Sequence, residues 1–127
     1  RIEKILDKKN KLAEYYNKRL DNISEIVTPI IRDYNTHTFM LYVILFKNNK
    51  LREKIRIELE KNGVETRINF PPLHLQPIYK KLYNFSSGLF PVCENISERV
   101  LGLPIFLAMT EEKQNYITNI IKKTIYD

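Results

Sequence analysis

Apolar residues recur along the chain at two periods, and the change from one to the other divides it into elements. Ile2, Ile5, Leu6, Leu12, Ala13, Tyr16 and Leu20 recur at spacings of three, four and seven, predicting an amphipathic helix from residue 1 to about 21 with a charged outer face. Asp21 to Asn35 reads as an irregular connection broken by Pro29, with Ile26, Val27, Ile30 and Ile31 folded back onto the core. Thr38 to Phe46 is rich in β-branched and aromatic residues and bounded by polar ones, which predicts a central strand. His37 stands at its entrance and is read as making one local hydrogen bond. Lys47, Asn48 and Asn49 turn the chain into a helix through about Lys61, with Leu51, Ile55 and Leu59 as its buried stripe. Asn62-Gly63 ends that helix, because glycine accepts the left-handed conformation of the residue after a helix.

The period then changes to two. Val64, Thr66, Ile68 and Phe70 alternate with Glu65, Arg67 and Asn69, so Val64 to Phe70 is expected as a strand with Arg67 and Asn69 pointing away from the core. Pro71 and Pro72 fix two φ angles and supply no donors, and residues 73 to 79 must leave the sheet as an ordered loop carrying His74. Binding groups tend to sit on such stiffened loops at strand ends. Ile78, Tyr79, Leu82 and Tyr83 predict a short helical turn, and Asn84 to Gly88 a polar break. Pro91 opens a further helix with Glu94 near its positive end and Val92, Ile96 and Val100 on one face. Gly102 to Phe106 is read as an edge strand because Pro104 interrupts it. Thr110-Glu111-Glu112 starts a closing helix with Ile117, Ile120, Ile121 and Ile125 as its stripe. The whole is an α+β layer: a small antiparallel or mixed sheet of about three strands covered by helices largely on one face.

Composition narrows the classes. A chain of 127 residues with 43% apolar content buries one core and forms a single domain. No run approaches the roughly 20 apolar residues that span a bilayer, and no secretory pattern opens the chain, so a cytoplasmic protein without a membrane partner is expected. The first helix starts without a capping residue or methionine, which reads as a chain cut from something longer. Cys93 has no second thiol or histidine cluster beside it; a buried bystander thiol is expected, with neither disulfide nor metal. Asn22, Asn84 and Asn95 begin chance glycosylation sequons. The net charge of +6 invites a nucleic-acid reading, but its cations are mixed with Glu3, Asp7, Glu14, Glu53, Glu58 and Glu60. Mixed signs on helical faces are solvated surface, and nucleic acid is not the expected partner.

Generic catalytic motifs are missing. The three glycines make no phosphate loop, and there is no nucleophile elbow or zinc-spaced cluster. Longer blocks carry more. Gly63-Val64-Glu65-Thr66-Arg67, Pro72-Leu73-His74-Leu75-Gln76-Pro77-Ile78-Tyr79, Phe90-Pro91-Val92-Cys93-Glu94, Glu98 to Phe106 and Met109-Thr110 follow in an order that resembles the C-terminal domain of the DegT/StrS-type sugar aminotransferases. Asn69-Phe70 stands where that family often has His-Tyr, and Gly102 where a serine is common.

The resemblance implies the C-terminal small domain of a fold-type-I enzyme dependent on pyridoxal phosphate, with the large coenzyme-binding domain absent from these 127 residues. The full enzyme, a homodimer, would move an amino group from an amino-acid donor, commonly glutamate, to a nucleotide-linked keto sugar, for amino-sugar or surface-polysaccharide biosynthesis. The coenzyme supplies the carbanion chemistry. Its Schiff-base lysine belongs to the large domain, so this piece is expected to be inactive and to bind no coenzyme by itself, with no catalytic residue of its own. The substrate-binding candidates are His74, Arg67, Gln76 and Tyr79. His74 is either a contact to a sugar or phosphate oxygen or a histidine that locks its loop. Arg67 either pairs its planar donor fork with a carboxylate or diphosphate, or forms a surface ion pair. Gln76 and Tyr79 have packing and loop hydrogen bonding as their alternative. The rival to this whole reading is a free-standing basic α+β module that binds nucleic acid or a protein.

Overall fold

A computed structural model of the chain describes residues 1–68 and 71–127. Helix α1 spans Ile2–Leu20, strand β1 Ile26–Val27, strand β2 Tyr42–Phe46 and helix α2 Asn49–Lys61. A single 3-10 turn at Leu73–Leu75 precedes helices α3, Pro77–Tyr83, and α4, Pro91–Arg99; strand β3, Val100–Leu103, and helix α5, Glu111–Tyr126, complete the chain. The strands form one antiparallel sheet in the order β1-β2-β3, with Ile26 opposite Phe46 and Tyr42 opposite Leu103. The fold is α+β, with β2 at the centre of the sheet as its composition predicts.

The core lies where three helical stripes meet one face of β2. Tyr42, Ile44 and Phe46 alternate inward and are fully buried, while Val43 and Leu45 between them are half-buried. Leu12, Ala13, Tyr16 and Leu20 come from α1, Ile55 and Leu59 from α2, and Ile117 and Ile121 from α5, which packs on both other helices. Local chemistry sets the helix ends. The Asn48 side chain accepts the Leu51 N–H at 2.9 Å, Thr110 accepts that of Lys113 at 3.3 Å, and Gly63 takes φ +73° after α2. The two tyrosines inside the core are paired across elements: the Tyr16 hydroxyl donates to the Pro104 carbonyl at 3.0 Å, and Tyr42 to the Asn17 side chain at 2.6 Å. The two rings stack at 4.7 Å, and burial pushes both phenols well above their ordinary range.

Several expectations are corrected. Of the 21–35 connection only Ile26 is buried among the four named apolar residues; Val27, Ile30 and Ile31 are exposed, and Ile23 joins the core instead. The Thr38–Phe46 strand starts only at Tyr42, because the His37 ring accepts the Phe39 N–H at 2.9 Å and Phe39 turns to φ +44°, burying its ring. That hydrogen bond is the local one expected of His37. Among the described residues the Val64–Phe70 strand reduces to one bridge, in which Arg67 exchanges backbone hydrogen bonds with Gly102 on the outer side of β3; Ile68 is exposed, and Asn69 and Phe70 lie outside the described residues. The expected edge strand begins at Val100, two residues before Gly102, and stops before Pro104, so Val100 is not on the helical face of Val92 and Ile96. Those two residues are exposed. Cys93 is exposed rather than buried: α4 buries none of its residues, so no core meets that helix.

Ile44 sits at the centre of the fully buried set. Ile44→Ala should lower unfolding free energy by about 3 kcal/mol, read as a lower urea midpoint with an unchanged denaturant slope.

Candidate functional site

The loop after Pro71-Pro72 and the start of α4 are joined by one carboxylate. Pro91 is the first residue of α4, and Glu94 lies in its first turn, where the exposed N–H groups favour negative charge. From there its side chain reaches back over Ser87–Phe90. It accepts the Gly88 N–H with both oxygens at 2.9 Å, the Phe90 N–H at 3.3 Å and the Ser87 hydroxyl at 2.9 Å. Gly88 can aim its amide this way because it adopts φ +91°, which a side chain would strain. His74 Nε2 completes the set at 2.8 Å from Glu94 Oε1. The Gly88 amide first, then His74, hold the Glu94 carboxyl down at about 2, with smaller help from Ser87 and Phe90 and against partial desolvation.

His74 is buried, at 6% exposure, in the 3-10 turn that the two prolines introduce. Its ring meets the Phe90 ring edge-on at 4.8 Å. The imidazole thus closes the turn onto α4, with one nitrogen committed to Glu94. Gln76 links the turn to α3, donating its backbone N–H to Leu73 and accepting that of Lys80, while its half-buried side chain makes no cap bond. Tyr79, 37% exposed, stacks 6.3 Å from Tyr83. From Tyr83 the aromatic contacts continue through Phe85 and Phe90 to His74.

Arg67 is elsewhere. It is exposed on the outer side of β3 and lines an 880 Å³ cleft with Met40, Val64, Phe106, Met109 and Lys113. The structure therefore brings His74, Gln76 and Tyr79 into one unit and leaves Arg67 on a second surface. Glu94 was legible as a charge at a helix start; its partnership with a histidine 20 residues away was not. The only signal was a carboxylate a few residues after Ser87-Gly88, a hydroxyl and an unhindered amide that can both donate to it.

Pyridoxal phosphate requires an amine free to form an imine, a carboxylate for its ring nitrogen and donors for its phosphate. The part-buried ammonium groups of Lys9 and Lys54 donate instead to the Ile105 and Thr124 carbonyls, at 2.8 and 2.7 Å, and Lys113 lies over the Phe106 ring. These three amines are thus engaged within the chain. Among the described residues, no group of three His, Cys, Asp or Glu could hold a metal, and no helix is long and apolar enough to cross a membrane.

The fold recurs within a larger aminotransferase. It superposes with a TM-score of 0.82 and 28% identity on a DegT DnrJ EryC1 StrS aminotransferase from Brucella abortus, over 95% of this chain and 31% of that one. Residues 1–122 match the DegT/DnrJ/EryC1/StrS aminotransferase family, and the chain belongs to it. An uncharacterized protein of Methanocaldococcus jannaschii is 33% identical over 121 residues, 93% of this chain and 31% of that protein. The dTDP-3-amino-3,6-dideoxy-alpha-D-galactopyranose transaminase of Aneurinibacillus thermoaerophilus is 28% identical over 120 residues, 94% of this chain and 31% of that protein. The chain spans 31% of the length of each of these relatives.

The low carboxyl range of Glu94 has a definite sign. Depressed from 4.5 to about 2, it contributes stability that is complete above pH 4.5 and is lost as pH falls toward 2. Hydrogen-exchange protection factors of the Gly88 and Phe90 amides should therefore drop across that window and hold steady above it; protection that is flat from pH 6 to 2 counts against the carboxylate as their anchor.

Proposed function

We propose that this chain forms the substrate-side wall of a pyridoxal-phosphate-dependent sugar aminotransferase. The longer protein moves an amino group from an amino-acid donor, with glutamate as first choice, to a nucleotide-linked keto sugar for amino-sugar or surface-polysaccharide biosynthesis in the cytoplasm. Family membership across residues 1–122 carries the reading, supported by a relative named as a transaminase of a dTDP-linked amino sugar. The chain's own surface also supports it. Helices α3 and α4 bury no residue, and Ile78, Leu82, Tyr83, Val92 and Ile96 are exposed on them, an apolar area suited to a large domain or a second subunit. In this reading the large domain holds the coenzyme, the enzyme is a homodimer, and the isolated chain is inactive. His74, Gln76 and Tyr79 contact the nucleotide sugar from one surface and Arg67 from the other. The basic-module alternative finds less support, since Arg56 pairs with Glu53 and Glu60, and Lys61 with Glu58.

The native gene product should be yellow and several times heavier than 15.2 kDa, and glutamate should bleach its absorbance. A native product of this mass without a chromophore withdraws the reading. In the longer enzyme, His74→Ala should lower turnover or sugar-nucleotide affinity by about tenfold, the worth of one hydrogen bond, with the coenzyme spectrum retained. Unchanged kinetics remove His74 from the site.

A further inference from the structure

Three of the four donors on the Glu94 carboxylate come from Ser87, Gly88 and Phe90, two of them backbone amides. The carboxylate is thus fixed by main chain on its own side, and the histidine ring is oriented to it. A carboxylate that is ionised only accepts, so the hydrogen between the groups sits on His74 Nε2. In a neutral imidazole the other nitrogen is then an acceptor, and no described residue donates to Nδ1. The Phe90 ring, edge-on at 4.8 Å, limits rotation of the imidazole out of this arrangement.

We infer that Glu94 is a positioning residue that holds His74 as its Nε2–H tautomer and leaves Nδ1 as a hydrogen-bond acceptor for a hydroxyl of the substrate sugar. This rests on the proposed role of His74 and sharpens it. An acceptor nitrogen takes the O–H of a pyranose ring; it gives nothing to a diphosphate oxygen, which carries no proton at neutral pH. Of the two ligand atoms open to His74 in the sequence, the sugar hydroxyl is selected and the phosphate oxygen is not. Glu94 itself touches no substrate.

The test is nitrogen-15 spectroscopy of the histidine-labelled chain. It holds two histidines, and His37, whose Nδ1 accepts the Phe39 N–H, serves as an internal standard for the same tautomer and for folding. At about pH 8, His74 should show a protonated Nε2 and an unprotonated Nδ1. An Nδ1–H tautomer or an imidazolium in the wild type overturns the inference, whether or not any variant folds. In Glu94→Gln the charge that demands the Nε2 hydrogen is gone, so the two His74 shifts should move toward each other while those of His37 stay. Unmoved His74 shifts beside native His37 shifts also overturn it.

The ligand half is read in the full-length protein, with His74 assigned by comparison with His74→Asn. Added dTDP-glucose should shift the His74 Nδ1 resonance upfield and dTDP should leave it in place. The same response to both probes, or none to either, refutes the hydroxyl contact while the tautomer result stands. A wrong tautomer in a protein that still transaminates refutes the positioning role and leaves the proposed function intact.

Discussion

The carboxylate of Glu94 ties the 3-10 turn of His74 and the Ser87–Phe90 segment to the start of α4. The stretch between the bridge at Arg67 and strand β3 contains two helices which bury nothing, so hydrophobic packing inside the chain does not hold it. Its order comes from charge-assisted hydrogen bonds instead, roughly twice as strong as neutral ones when the acceptor is ionised. One end of α4 is tied by Glu94 to Ser87, Gly88, Phe90 and His74. The other end is tied to α2, where the Glu98 carbonyl accepts from Asn49 at 2.8 Å and from Arg52 at 3.0 Å. Cations and amides at the last carbonyls complement the negative end of the helix.

The remainder is built by the opposite principle. There β2 lies under three amphipathic helices, and its buried alternation of Tyr42, Ile44 and Phe46 sets the register of the whole sheet. Few polar groups are admitted to this core; the fully buried Gln114 donates its amide to the Leu12 carbonyl at 2.7 Å, while its Oε1 finds no partner among the described residues. The molecule thus joins a self-sufficient apolar core to a polar-stapled appendage. The appendage carries the histidine, and its apolar side is turned outward.

This division also explains what the sequence disclosed. Helices α1, α2 and α5 were legible because their stripes face a core within the same chain, and their caps at Asn48 and Thr110 are local. In α4 the same periodicity placed Val92, Ile96 and Val100 on one face, of which the helix itself carries only Val92 and Ile96. The two residues do share a helical spacing, but both are exposed. Cys93, expected to be buried, is likewise exposed on that helix. Phe39 and Met40 were lost to the strand because a histidine two residues from Phe39 captures its amide, a side-chain competition that composition does not reveal. The loop position of His74 followed from two prolines. Its pairing with Glu94 spans 20 residues, and only the fold brings them together.

Helix α1 has a mechanical part in the second surface. The Tyr16 hydroxyl and the Lys9 ammonium grip the successive carbonyls of Pro104 and Ile105, at 3.0 and 2.8 Å, and both residues line the cleft where Arg67 lies. That wall is fastened crosswise to the longest helix of the chain rather than along the sheet edge that precedes it. The helix thus braces that wall from behind, by two side-chain hydrogen bonds placed just beyond the point where strand β3 ends at Leu103.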